Sequence, residues 1–315
     1  MARAPRHGVG RARPLTPAVR RRLPLVELLI VVVVLVGLLA VVRLFMPRIV
    51  PFFVFYPETL EPHETDPRYW GFPQATEVRI PTEDGLELHA WWFPANPPES
   101  RLGTAIYFHG NAGHLGDRGA VAAALSNLGL DILLPDYRGY GASEGKPSEE
   151  GLYADARAAY RWLVDGQGVD PERLLPLGNS LGSSVAAEMA VSRPVAGVVL
   201  LGPFTDTAAI ARHRLSWLPD WYLDWLHNRF DTLERAPRIE VPTFVAAGEE
   251  DEVIPPGQSR EVFEALRGPR RWLEIPGAGH NDIFSHELLW RELHRFTRDV
   301  LAGGAADLAP GGQRD

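Results

Sequence analysis

Three stretches of the sequence hold side chains of the types and spacing that nucleophilic catalysis needs. The first is Gly178-Asn179-Ser180-Leu181-Gly182, which ends the apolar run LLPLG and precedes helix-forming residues. This is G-x-S-x-G in a strand–turn–helix context. A sharp turn projects the serine hydroxyl from the strand end, and the flanking glycines remove side chains that would collide with the neighbouring strand and helix. A serine hydroxyl attacks poorly until a base takes its proton, and the base must be oriented by a third group. Both candidates lie downstream. His280 stands in Gly277-Ala278-Gly279-His280-Asn281-Asp282, and Asp251 stands in Gly248-Glu249-Glu250-Asp251-Glu252, each just past an apolar run. Of the ten histidines, His280 alone falls in a glycine-bounded loop after a late strand. Glu249, Glu250 and Glu252 compete with Asp251, whose position within its loop favours it. The chain has no cysteine, so a thiolate nucleophile and a Cys-based metal site are excluded.

A tetrahedral oxyanion needs preorganised N–H donors. Leu181 supplies one from the turn, and the loop His109-Gly110-Asn111-Ala112-Gly113 supplies the second, with the Asn111 backbone N–H the best candidate. The same loop lacks the G-x-x-x-x-G-K-[ST] pattern of a phosphate cradle. His109 is read as a structural residue that holds the loop. The chemistry calls for no metal or organic cofactor.

These residues need elements that bring distant loops to one rim. TEVRIPTEDGLELHAWWFP alternates apolar and polar residues on both sides of Asp84-Gly85, which predicts a β-hairpin. Beyond it, the short apolar runs TAIYFHG, DILLPDY, LLPLG, AGVVLLG, TFVAAG and RRWLEIP alternate with helical segments near 117–128, 149–165, 181–192, 257–267 and 284–301. Such alternation predicts a parallel sheet covered on both faces. Ser180, Asp251 and His280 then all follow strand carboxyl ends, where open α/β sheets place their ligands.

With HGNAGH, DYRGYGASEG, GNSLG, Pro203-Phe204-Thr205, GEEDEVIPP and GAGHND in one order, residues 75–300 resemble membrane-anchored α/β-hydrolases related to serine aminopeptidase-like hydrolases and protein depalmitoylases. The resemblance implies an α/β-hydrolase fold: a mostly parallel central sheet with helices on both faces, an N-terminal β-hairpin and a short helical cap. It maps the nucleophile onto Ser180, the acid onto Asp251, the base onto His280 and the oxyanion donors onto Asn111 and Leu181. In such families Asp136 and Arg138 belong to the scaffold. The expected reaction is ester or thioester hydrolysis, with a peptidase and a non-catalytic membrane-tethered binding protein as alternatives. Residues 204–240, with Trp217, Trp221, Tyr222 and Trp225, form the expected helical cap. Trp221 and Trp225, four apart on one helical face, read first as core packing and otherwise as an acyl-binding wall or a membrane-facing surface, and such a cap suits an apolar acyl chain on a small-molecule or lipid-like substrate.

Charge is unevenly placed. Residues 1–50 carry nine arginines against the single acid Glu27, a charge of +8, which leaves −16 for the remainder of a chain whose total is −8. An acidic body argues against a nucleic-acid partner. Leu23 to Val42 reads LPLVELLIVVVVLVGLLAVV, long enough to cross roughly 30 Å of hydrocarbon. The arginines ahead of it place the N-terminus in the cytoplasm and the acidic body on the outer side of the cell membrane. The expected organisation is a basic tail over 1–22, one transmembrane helix over 23–46, a juxtamembrane linker over 47–75, the catalytic domain over 76–302 and a polar, disordered tail over 303–315.

Overall fold

The computed structural model describes residues 25–49, 54–214, 223 and 228–303. The chain divides into two units, 1–45 and 46–315. The basic tail, the C-terminal residues past Gly303, and Trp217, Trp221, Tyr222 and Trp225 of the cap lie outside the described residues.

Helix α1 runs over Leu25–Ile49. Its side chains are described and exposed over residues 25–41, which covers about 26 Å at 1.5 Å per residue. Among the described residues no helix is long and apolar enough to cross a membrane. The transmembrane helix expected over 23–46 thus finds no support among the described residues.

The second unit is built on an eight-stranded sheet. Its strands are β2 (Thr76–Pro81), β3 (Glu87–Phe93), β4 (Gly103–Phe108), β6 (Leu130–Pro135), β7 (Leu174–Asn179), β8 (Val198–Leu201), β9 (Thr243–Gly248) and β10 (Arg270–Ile275), in spatial order β10-β9-β8-β7-β4-β6-β3-β2. From β10 to β6 every pairing is parallel; β3 joins β6 and β2 joins β3 antiparallel. The expected hairpin is thus the antiparallel edge of the sheet, closed by Thr82 N–H donating to Leu86 O at 2.8 Å and by Gly85 at φ +84°. A second, two-stranded pairing joins β1 (Tyr56–Pro57), within the segment expected to be a juxtamembrane linker, to β5 (Ala112–Gly113).

β4 shows why the runs are apolar throughout: every one of its residues is buried. Ile106 and Phe108 face one core, Ala105 and Tyr107 the other, the period-2 consequence of a pleated strand. One core is closed by α3 (Glu149–Arg161), α4 (Leu181–Ser192) and α7 (Pro256–Ala265), the other by α2 (Gly119–Ser126) and α8 (Glu287–Leu301). The Ser148 side chain accepts from Gly151 N–H and starts α3, with Glu149 and Glu150 in the first turn, an arrangement favoured by the helix dipole.

The cap is described at its ends, in α5 (Thr207–Arg214) and α6 (Thr232–Arg235). These ends are tied together: Thr207 N–H donates to Arg229 O at 2.8 Å and Thr207 Oγ1 to Asn228 O at 2.6 Å.

Candidate active site

The turn from β7 into α4 holds Ser180 at φ 54° and ψ −119°, in a region non-glycine residues rarely enter. Its N–H is fixed by Leu201 O at 2.8 Å, and its carbonyl accepts from Ser183 N–H at 2.9 Å and Ser183 Oγ at 2.6 Å. Both flanking glycines are required by space. A Cβ on Gly178 would strike Gly182 O, and one on Gly182 would strike Phe108 O on the adjacent strand. The turn is therefore tight because it is side-chain-free on both sides of the serine.

His280 and Asp251 reach this serine from the ends of β10 and β9. Asp251 Oδ2 accepts from His280 Nδ1 at 2.7 Å. A carboxylate only accepts, so Nδ1 carries the hydrogen and Nε2 presents its lone pair. Ser180 Oγ lies 3.1 Å from that Nε2 and donates to it. Asp251 is buried, and its other oxygen accepts from Val253 N–H at 2.9 Å and Ile254 N–H at 2.8 Å. Glu249, Glu250 and Glu252 are exposed, and Glu249 spends its carboxylate on Gly277 N–H. Asp282 steadies the histidine loop by accepting from Gly279 N–H at 2.7 Å.

Gly202 was not singled out by its sequence. It follows β8 at φ +54°, and a Cβ there would lie 3.7 Å from His280 Cε1 and 3.8 Å from Asp251 Oδ2. A larger side chain would press on the imidazole–carboxylate pair. Its only signal was a glycine ending an apolar run ahead of Pro203.

The loop after β4 closes the other side. A Cβ on Gly110 would stand 3.6 Å from Ser180 Cβ, so the loop passes beside the serine. The N–H groups of Asn111 and Leu181 have no acceptor among the described residues. His109 is buried and takes the structural role its position implied. Nδ1 donates to Gly110 O at 2.7 Å, while Nε2 lies 3.3 Å from Asp136 Oδ1. Burial alone raises the pKa of Asp136, but the His109 and His89 rings beside it, with His109 Nε2 at 3.3 Å from Oδ1 and His89 Nδ1 at 3.8 Å from Oδ2, outweigh it and hold the carboxyl below its ordinary value. Asp136 also accepts from Leu115 N–H at 2.7 Å. Arg138 is bound to Asp155 and Asp84, and both residues serve the scaffold. The arrangement holds a hydroxyl, a base, an acid that orients it, and two N–H groups with no acceptor among the described residues, a set suited to acyl transfer.

Residues 106–230 match the sequence family described as alpha/beta hydrolase fold. The chain is 42% identical over 235 residues to an uncharacterized protein of Mycobacterium tuberculosis, covering 74% of this chain and 82% of that one. It is 34% identical over 199 residues to the alpha/beta hydrolase domain-containing protein 17B of Homo sapiens, covering 63% of this chain and 67% of that one. Among solved structures, an esterase of Pyrococcus furiosus is similar with a TM-score of 0.64 at 22% identity, over 79% of this chain and 100% of that one.

Proposed function

The chain belongs to the α/β-hydrolase family, and from that premise we propose that it is a membrane-anchored serine hydrolase cleaving carboxylic ester or thioester bonds through an acyl-enzyme on Ser180. The observation that carries the reading is the relay Asp251–His280–Ser180, with hydrogen bonds of 2.7 and 3.1 Å. The esterase among the similar folds supports it.

Ser180 Oγ attacks the acyl carbon while His280 Nε2 takes its proton. Asp251 keeps the hydrogen on Nδ1 and stabilises the imidazolium. The oxyanion is received by the Asn111 and Leu181 N–H groups. His280 then gives its proton to the departing alcohol or thiol. A water, deprotonated by the same nitrogen, attacks the acyl-enzyme; His280 Nε2 then returns that proton to Ser180 Oγ as the acyl–oxygen bond breaks, which frees the acid and restores the serine.

The anchor reading rests on α1 itself. Most of the apolar run Leu23 to Val42, whose only charge is Glu27, falls in this helix, and about 20 such residues are what roughly 30 Å of hydrocarbon requires. Leu25, Val33, Val34 and Leu38 are each more than half exposed, a contiguous apolar surface that water does not tolerate. The arginine-rich tail then stays cytoplasmic and the acidic body faces outward. The substrate is a small-molecule or lipid-like acyl compound, with its apolar acyl chain received by the cap.

Hydrolysis of p-nitrophenyl esters from acetate to palmitate, beside Ser180→Ala, tests the chemistry. Wild type is expected to turn over and Ser180→Ala to lose at least about a thousandfold in kcat. A wild type that is inert and unlabelled by an active-site phosphonate would instead be a binding scaffold.

A further inference from the structure

The segment between α1 and the hairpin is bonded to the loop that carries the proposed oxyanion donor. Tyr56 N–H donates to Asn111 O at 2.9 Å, Glu58 N–H to Gly113 O at 3.3 Å, and Asn111 Nδ2 to Val54 O at 3.2 Å. Glu58 O accepts from Gly141 N–H at 2.7 Å and Leu60 N–H donates to Gly141 O at 3.1 Å, which binds the segment's far end to the body. Phe55 is buried and meets the Phe230 ring edge-on at 5.9 Å. Residues 54–60 thus run as a strap across the back of the loop.

Two carbonyls flank the Asn111 N–H in the chain, and both are held. Gly110 O, on the same peptide plane, accepts from His109 Nδ1. In a trans peptide the Asn111 N–H must point the opposite way. Asn111 O, one residue on, accepts from Tyr56 N–H and from the Tyr140 hydroxyl, each at 2.9 Å. The Asn111 N–H lies in the first of these planes and the second meets it at the Asn111 Cα, so the hydrogen bonds hold both planes that join at Asn111. Releasing Asn111 O frees one of the two planes.

We propose that the strap Val54–Leu60 is a positioning element of the active site, in which the Tyr56 backbone N–H and the Tyr140 hydroxyl hold the Asn111 peptide for oxyanion binding. This rests on the reading of Ser180 as the nucleophile. It makes the residues that follow α1 part of the site's support, so turnover depends on a segment outside the catalytic domain expected over 76–302.

The test uses the full chain and counts turnover per serine titrated to completion with a phosphonate, which removes misfolded molecules from the comparison. Tyr56→Pro deletes the N–H, whereas Tyr56→Ala keeps it and removes only an exposed side chain. Tyr56→Pro is expected to lose about tenfold in kcat with KM within about twofold, a fraction of the 10²–10³ that deleting an oxyanion donor costs. Tyr56→Ala is expected to stay near wild type. Tyr140→Phe, which removes the other donor without touching the strap, is expected to lose a similar factor and decides the matter if Tyr56→Pro does not fold. Wild-type turnover per titrated serine in Tyr56→Pro or, failing that variant, in Tyr140→Phe overturns the proposal, as does an equal loss in Tyr56→Pro and Tyr56→Ala. A wild type that neither labels nor turns over removes the nucleophile reading, and this inference with it.

Discussion

Four acidic side chains crowd the loop after β9, and the direction of one carboxylate separates them. Asp251 turns back over the strand end, where two backbone N–H groups and His280 meet its oxygens. Replacing it with asparagine preserves the shape but offers His280 Nδ1 an amide that can donate, which favours the wrong tautomer. Asp251→Asn is therefore expected to lose about 10³–10⁴ in kcat. Glu250→Gln and Glu252→Gln are expected to stay within about twofold. Ester hydrolysis by the three variants checks this, and a loss at Glu250 matching that at Asp251 would reassign the acid. Ser180 and His280 were legible in the sequence because a strained turn demands glycines around the serine, and a loop-borne base stands out among helical histidines. Asp251 was legible only by its place in the loop, since the choice among four acids depends on backbone N–H groups that carry no side-chain signature. Gly202 and Tyr56 were not legible: one acts by leaving space, the other through its main chain.

At the scale of elements, the parallel strands were readable because burial on both faces makes them apolar throughout, and the hairpin because Asp84-Gly85 sits between alternating runs. The segment 54–60 escaped because its pairing with the loop after β4 is made by main-chain groups and involves only two residues on each side. Helix ends were blurred for a related reason: α3 passes at Trp162 into a π-helical turn that runs to Gly166, which no periodicity marks. Asp84 also does more than shape a turn. Its carboxylate binds Arg138, which also binds Asp155 on α3, so the hairpin is stapled to the body. The Arg138 guanidinium pulls Asp84 down from an ordinary 3.8 to about 2. A lowered carboxyl pKa contributes stability that is fully present above the ordinary value and lost as pH falls through the folded one. Asp84→Asn should therefore have a lower urea midpoint than wild type at pH 6, and the gap should close between roughly pH 4 and pH 2. The gap will be small because the Asp84 side chain is half exposed. A gap that persists unchanged at pH 2 would mean that the asparagine acts through the turn and not through the ion pair.

For the whole molecule, the charge asymmetry offers two ways to reach a membrane, and they respond differently to salt. A tail carrying most of the +8 of residues 1–50 would be drawn to anionic headgroups, but that attraction is screened within about 3 Å at 1 M salt. An inserted α1 is held by apolar burial, which salt does not weaken. The anchor reading thus expects the full chain to sediment with membranes, to stay there in 1 M salt and to be released by detergent. Release by salt alone would make the association peripheral. Where the chain is cut then matters. Removing residues 1–46 should give a soluble protein with turnover per titrated serine within about twofold of the full chain, because the strap from Val54 to Leu60 is retained. Removing residues 1–60 takes the Tyr56 N–H from Asn111 O and uncovers the packing site of Phe55. That shorter protein should lose about tenfold or more in kcat with little change in KM. Equal turnover per titrated serine at the two cuts would reduce the strap to a tether, and loss already at the first cut would assign the support to α1 instead.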